Sequence, residues 1–359
     1  MTKILIDLER LRYPNSGIAN VFRNLGKELQ ENEEFDFSFF GPKEELQKIN
    51  PSIRLIDWKF WHKFFENFSP KFDLIHASHQ LSSYFHRDYK KAKKLLTLHD
   101  LNFLHENLSD AKKKKMLNKV NQNLKNADYL VCISHFVKEE VLKNQHLLNL
   151  EKVKEIFVVY NGVDLPENKK YDLGKYQFLE NKRFILNIGV LFDKKNQKKL
   201  IQMLPYIQED LVLVSSAQNK NYEAETKQIV NQLKLENRVH FLSNISEEEK
   251  YALIQHCQAM CHPSIAEGFG IPPIEAMAFG KPVFLSTFTS LPEIGGEVAF
   301  YFETLDPENM AKTFQDKMSF YTENQKIMSE KIKKWASKFS KNEMLNDYLN
   351  IYKKILSEI

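Results

Sequence analysis

Short apolar runs bounded by charges or turn formers recur along the first half of the chain. Residues 4–8, 35–40, 74–76, 95–98, 129–133 and 156–160 each have the length and composition of a buried strand. Helical patterns lie between them, at 18–30, 111–124 and 135–144. A second series follows at 184–188, 211–215, 239–242, 259–261, 282–285 and 299–302, its members mostly separated by helical stretches. Alternation of this kind predicts an α/β fold with parallel sheets covered on both faces. Between the two series, residues 164–177 are polar and carry Pro166 and Gly174, which reads as an interdomain linker. A length of 359 residues exceeds one ordinary core and suits two domains.

Composition places the chain among globular proteins, with 43% hydrophobic and 27% charged residues. No run approaches the roughly 18 apolar residues of a spanning helix. Asp7 and Glu9 interrupt the first apolar run at once, unlike a signal peptide. The expectation is therefore a cytoplasmic protein, with peripheral contact at the inner membrane face as an option. Cys132, Cys257 and Cys261 form no disulfide framework. Cys257, Cys261 and His262 lack a second ligand pair at zinc spacing, so no metal is expected there.

Charge is uneven. The net charge is +4, yet residues 54–125 hold 15 basic and 7 acidic residues. This stretch interleaves Trp58, Phe60, Trp61, Phe64, Phe65 and Phe68. It reads either as a face toward an anionic membrane or lipid-linked acceptor, or as aromatics packed in the domain's own core. No nucleic-acid-binding motif accompanies the basic residues, and no nucleic-acid partner is expected.

Four segments could carry chemistry. In residues 263–282 a strand ends near His262, a loop with Gly268, Phe269 and Gly270 follows, and a helix starts at Pro272 or Pro273 and stops at Gly280. A glycine loop entering a helix N-terminus favours phosphate through free N–H groups and the helix dipole. Glu267 and Glu275 could hold sugar hydroxyls there. Either could equally be a solvated or helix-start carboxylate. Next, Asn187, Gly189, Lys194, Lys195 and Asn196 follow a strand and enter the helix 197–204, with Asn196 as a candidate N-cap. Two lysines there suit a diphosphate, or form a solvated turn. His99 and Asp100 end a strand of the first half, in a position that suits ligand contact or a packed histidine. Asn15, Ser16 and Gly17 follow the first strand.

From Glu267 to Glu275 the order Glu, Gly, Phe, Gly, Ile, Pro, Pro, Ile, Glu resembles the signature of the retaining glycosyltransferases of family 4, which have the GT-B fold. The likeness runs on through Gly280, Lys281, Pro282 and the stretch 290–294, and touches nearly the whole chain. It implies two Rossmann-like domains facing a central cleft. Residues 1–165, with 341–359 packing back on them, would form the acceptor side, and 166–340 the nucleotide-sugar side. It implies that Glu267 contacts the donor sugar, that Glu275 holds the ribose, and that Lys195, helped by Lys194, neutralises the diphosphate. His99 would meet the donor sugar or reacting centre. Asp100 would orient it or meet the acceptor, and Asn15, Ser16 and Gly17 would lie near diphosphate and acceptor. The family commonly has an arginine where this chain has Val190, and more glycines around Gly17.

The implied activity is transfer of a mannose- or other hexose-type residue from a nucleotide-diphosphate sugar to a glycan or lipid-linked acceptor, in surface polysaccharide or glycolipid assembly. A non-catalytic nucleotide-sugar binder is the alternative. No Asp-x-Asp metal motif occurs in the sequence. Lys195 and the N–H groups leading into the helix at 272–275 would then stabilise the departing nucleotide without a cofactor or metal.

Overall fold

Two all-parallel sheets account for the alternating pattern. In this computed structural model residues 1–13, 16–65, 71–106, 108–167, 169–215 and 219–358 are described. The first sheet contains β1 (Lys3–Asp7), β2 (Asp36–Gly41), β3 (Leu55–Asp57), β4 (Leu74–Ala77), β5 (Lys93–Leu98), β6 (Tyr129–Cys132) and β7 (Glu155–Val158), in the order β3-β2-β1-β4-β5-β6-β7. The second contains β8 (Phe184–Ile188), β9 (Asp210–Val214), β10 (Val239–Leu242), β11 (Ala259–His262), β12 (Val283–Ser286) and β13 (Phe300–Phe302), in the order β10-β9-β8-β11-β12-β13. Strands such as β1, β6, β8 and β9 are buried nearly throughout, because helices cover both faces of a parallel sheet. Each sheet is Rossmann-like, and together they make a GT-B fold.

The chain divides into two compact units, Met1–Val163 with Phe339–Ile359, and Asp164–Lys338. In each, strand order reverses once: between β1 and β4 in the first, and between β8 and β11 in the second. Ligands of open α/β sheets bind outside the carboxyl ends of strands at such a reversal. The loops after β1, β4, β8 and β11 are thus the places to look for chemistry.

The last helix, Lys341–Leu356, packs against helix Gly17–Leu29 of the first unit. Tyr352 Oη lies 2.8 Å from His76 Nδ1, and Tyr348 Oη 3.3 Å from Thr97 Oγ1, so the helix is bonded to the centre of the first sheet. Its entry is held where Val163 bridges Ser340. A Cβ at Gly162 would stand 2.7 Å from Lys341 Cα, so the crossing requires glycine.

Two expectations need correction. Residues 164–177 are not wholly a linker. Tyr171, Leu173 and Tyr176 are buried, and Tyr171 packs edge-on against Tyr251 and Phe279 of the second unit. Three apolar side chains spread among polar neighbours sufficed to anchor this segment. Strand β3 went unread because three half-buried residues at a sheet edge leave too little pattern. Among the described residues no helix is long and apolar enough to cross a membrane.

Candidate active site

In the second unit, the loops after β8 and β11 meet at the strand reversal. Lys195 Nζ is ion-paired with Glu267 Oε1. The same carboxylate oxygen lies 2.5 Å from His262 Nε2, at the end of β11. A carboxylate can only accept, so Nε2 carries the hydrogen in that bond. His262 Nδ1 is buried with no hydrogen-bond partner. Burial works against a charge on Glu267, but Lys195 and His262 outweigh it and hold the carboxyl far below its ordinary range. The group is therefore a largely buried, ionised carboxylate gripped from two sides.

The backbone around this cluster is tied by its neighbours. Lys194 carbonyl oxygen accepts from Ile265 N at 2.8 Å and from Ser264 Oγ at 2.9 Å. Lys194 thus braces the loop through its main chain. Asn196 stands at the start of helix Gln197–Met203, but it is left-handed (φ 60°) and its side chain caps nothing. Its amide instead donates to Pro263 O at 3.4 Å. On the other flank, Glu267 N donates to Thr289 Oγ1 at 3.0 Å, and Ser290 Oγ donates to Phe269 O at 2.8 Å.

Phe269 is buried, and Gly270, at φ +119°, turns the chain into helix Ile271–Ala278. Few residues but glycine tolerate that angle. Gly268 is half-buried beside them. Pro272 and Pro273 have no N–H, so the N–H groups that lead into this helix belong to the residues up to Ile271. Glu275, in the second turn, is buried and accepts from Lys250 Nζ at 2.5 Å. Burial pushes its carboxyl above the ordinary range, against the pull of Lys250. One bond to Lys250 leaves several of its lone-pair positions unused.

The first unit handles its own strand ends differently. His99, at 3% exposure, donates from Nε2 to Ser78 O (2.8 Å), and its N–H donates to Gln80 Oε1 (3.1 Å). Its ring stacks on His79 at 5.2 Å between centroids. Burial lowers its pKa to about 4. Asp100 is half-buried, and its Oδ1 accepts from Asn102 N at 3.1 Å, which starts a short helical turn. Ser16 caps helix Gly17–Leu29 by accepting from Ala19 N at 3.2 Å, and Gly17 is the exposed first residue of that helix. Asn15 lies outside the described residues, as does Phe68. Among the described residues no group of three or more His, Cys, Asp or Glu is placed to hold a metal. The three cysteines are buried, and burial pushes Cys132 up to about 12 and Cys257 to about 11.

Comparison with known proteins fits this arrangement. Residues 15–167 match the family described as Glycosyltransferase Family 4, and residues 168–336 match Glycosyl transferases group 1. The chain belongs to these GT-B glycosyltransferases. The O-antigen chain mannosyltransferase RfbU of Salmonella typhimurium is 28% identical over 50% of this chain and 48% of its own. The serotype-specific mannosyltransferase WbdA of Escherichia coli is 25% identical over 57% of this chain and 27% of its own. The chain thus spans about half of the first relative and about a quarter of the second. Among solved structures, Anabaena Alr3699/HepE in complex with UDP and glucose shares the fold, with TM-score 0.75 and 19% identity over 99% of this chain and 100% of that one.

For a GT-B glycosyltransferase of this family, reading the sequence missed Lys250, Thr289 and Ser290. Lys250 is 25 residues from Glu275, and the two hydroxyls lie more than 20 residues from the loop they brace, so no local pattern links them. His262 had a signal, since it ends the strand that feeds the glycine loop, but its neighbours Cys257 and Cys261 drew attention to metal binding instead.

Proposed function

We propose that the chain transfers a hexosyl residue, of mannose type, from a nucleoside-diphosphate sugar to a hydroxyl of a glycan or lipid-linked acceptor, with retention at the anomeric carbon and without a metal. The observation that carries this reading is the hydrogen-bonded cluster of Lys195, Glu267 and His262 at the strand reversal of the second unit. One relative is named an O-antigen chain mannosyltransferase and another a serotype-specific mannosyltransferase, and a neighbour in fold was solved with UDP and glucose.

The roles follow from the chemistry. Lys195 carries the charge that an arriving diphosphate needs, and shares it between Glu267 and phosphate. The N–H groups of residues 268–271 add dipoles where the leaving oxygen gains charge. Glu267, ionised and held by His262, accepts from donor-sugar hydroxyls. Glu275 accepts from the ribose hydroxyls with the lone pairs that Lys250 leaves. His99 serves from the first unit as a neutral imidazole toward the sugar, with Asp100 beside it. We further propose that the first unit touches an anionic membrane face. Phe60, Trp61, Phe64 and Phe65 are 60%, 45%, 56% and 80% exposed rather than in the core, and Lys59 and Lys63 lie among them.

The test is donor turnover with chelator present, read as release of nucleoside diphosphate and as the anomeric configuration of the product. Undiminished turnover in chelator with retained configuration supports the reading. Loss in chelator with rescue by magnesium or manganese, or an inverted product, sinks that part of it.

A further inference from the structure

A second concave site lies wholly within the first unit. It is a recess of about 290 Å³ built from the loop after β1, the segment after β3, the loop after β4, and Lys119 on helix Asp110–Leu124. The first three pieces come after the strands' carboxyl ends, and the first and third flank the β1–β4 reversal. A volume near 300 Å³ is at the lower end of small-ligand sites.

Its chemistry is lopsided. Among the described residues Arg10, Arg12, Lys63 and Lys119 line it, against the one carboxylate of Glu9. Glu9 is already engaged, with Oε1 accepting from Arg12 at 2.6 Å. The Arg12 guanidinium carbon sits over Trp58, 3.8 Å from the ring centroid, which restricts the direction of its fork. Arg10 donates from one terminal nitrogen to His79 Nδ1 at 3.1 Å. Its Nε is buried without a hydrogen-bond acceptor, and Glu9 Oε2 stands 3.9 Å off. With no hydrogen bond at Nε and only a long ion pair to Glu9, the Arg10 charge is incompletely neutralised within the protein. Burial and then Arg10 both lower the pKa of Lys119, as expected where positive charge is in excess.

We infer that this recess binds a phosphate-bearing group of the acceptor. The inference rests on the transferase reading above and deepens it. Two arginines held by an aromatic ring and a histidine present preset forks to phosphate oxygens, and two lysines supply further charge. Tyr13 and Phe60 complete the walls and give the ring or chain next to the phosphate an apolar surface. The phosphate itself could belong to a soluble sugar phosphate or to a lipid headgroup.

Inorganic pyrophosphate is the soluble probe, titrated calorimetrically into the full chain carrying Lys195→Ala, so that the second unit's lysine does not contribute. Adding Arg10→Gln with Lys119→Gln should weaken binding at least about tenfold. Lys63→Gln with Lys119→Gln, both outside the core, does the same job if Arg10→Gln does not fold. Vesicles of phosphatidylcholine with and without phosphatidic acid form the lipid arm. Binding that needs both phosphatidic acid and the recess residues assigns the phosphate to lipid. Pyrophosphate binding that needs them, without vesicle binding, assigns it to a soluble acceptor. Pyrophosphate and vesicle binding that are absent, or indifferent to the recess substitutions, overturn the inference. Donor turnover is followed on the same recess variants in the otherwise wild-type chain. A wild-type chain that turns over nucleotide sugar but shows neither pyrophosphate nor vesicle binding through the recess overturns the recess alone, whereas a wild-type chain that turns over no nucleotide sugar overturns the transferase reading.

Discussion

The carboxyl ends of the two sheets are occupied by opposite kinds of polar group. In the first unit, His76, His79 and His99 are buried, and burial lowers all three: His76 to about 3, His99 to about 4, and His79 well below the usual value. Beside them Asp7 is pushed up to about 7 by burial and then by Glu9, against the bonds it accepts from Glu9 N and from Ser78. Removal from water holds these imidazoles uncharged, although the cationic recess of Arg10, Arg12, Lys63 and Lys119 opens beside them. In the second unit, Glu267 is largely removed from water yet stays ionised, because Lys195 supplies opposite charge and both Lys195 and His262 supply hydrogen bonds. Burial is common to both, and the partner decides the charge. A neutral site suits uncharged sugar and hydroxyl groups, and a charged one suits a diphosphate.

The sharpest way to break this comparison is to remove the cation. Lys195→Ala should lower donor turnover by about 100-fold or more, comparable to losing one preorganised charge donor. Steady-state rates at saturating donor check this, and near-normal turnover would mean the charged cluster is structural. Next in size is Glu275→Ala, which should weaken nucleoside-diphosphate affinity by about 1.5–3 kcal/mol. Calorimetric titration reads it without any acceptor, and unchanged affinity in a folded variant would remove the ribose role.

Stability against pH probes the neutral site. A histidine with depressed folded pKa contributes stability that is present above about pH 6.5. That stability is lost as pH falls, because the unfolded chain takes a proton that the folded one refuses. Asp7 acts with the opposite sign between about pH 4 and 7, where the folded chain keeps a proton the unfolded chain has released. With three histidines against one carboxyl, acid should destabilise the first unit between pH 6.5 and 4. His76→Gln should flatten that slope by up to about 1.4 kcal/mol per pH unit in urea unfolding. An unaltered slope would show that His76 is not held neutral. The smallest effect expected is on membranes. Phe64→Ser with Phe65→Ser should reduce flotation with anionic vesicles by a modest factor, about 1 kcal/mol of partitioning. Equal recovery of both proteins would leave the aromatics without that role.

Much of the fold was legible because parallel strands buried on both faces are written as unbroken apolar runs. The runs at 184–188 and 239–242 coincide with β8 and β10. The glycine loop and its helix were legible too, since Gly270 and Gly280 take left-handed angles that few other residues tolerate. What could not be read was pairing. Nothing near Glu275 points to Lys250, and nothing near Lys195 says that its charge is already engaged by Glu267. The aromatics around Phe64 were ambiguous for a related reason, because an apolar residue in sequence does not declare whether a core exists to receive it.

The account stands on the second unit binding a nucleoside-diphosphate sugar through its own side chains. A thermal-unfolding screen of such sugars in chelator tests this most directly, on the wild-type chain and on Lys195→Ala and Glu275→Ala. A matching donor at about 100 times its dissociation constant should stabilise the wild type by about 2.7 kcal/mol, and both variants clearly less at the same concentration. Stabilisation by no donor, or by the same amount in all three proteins, would contradict the account.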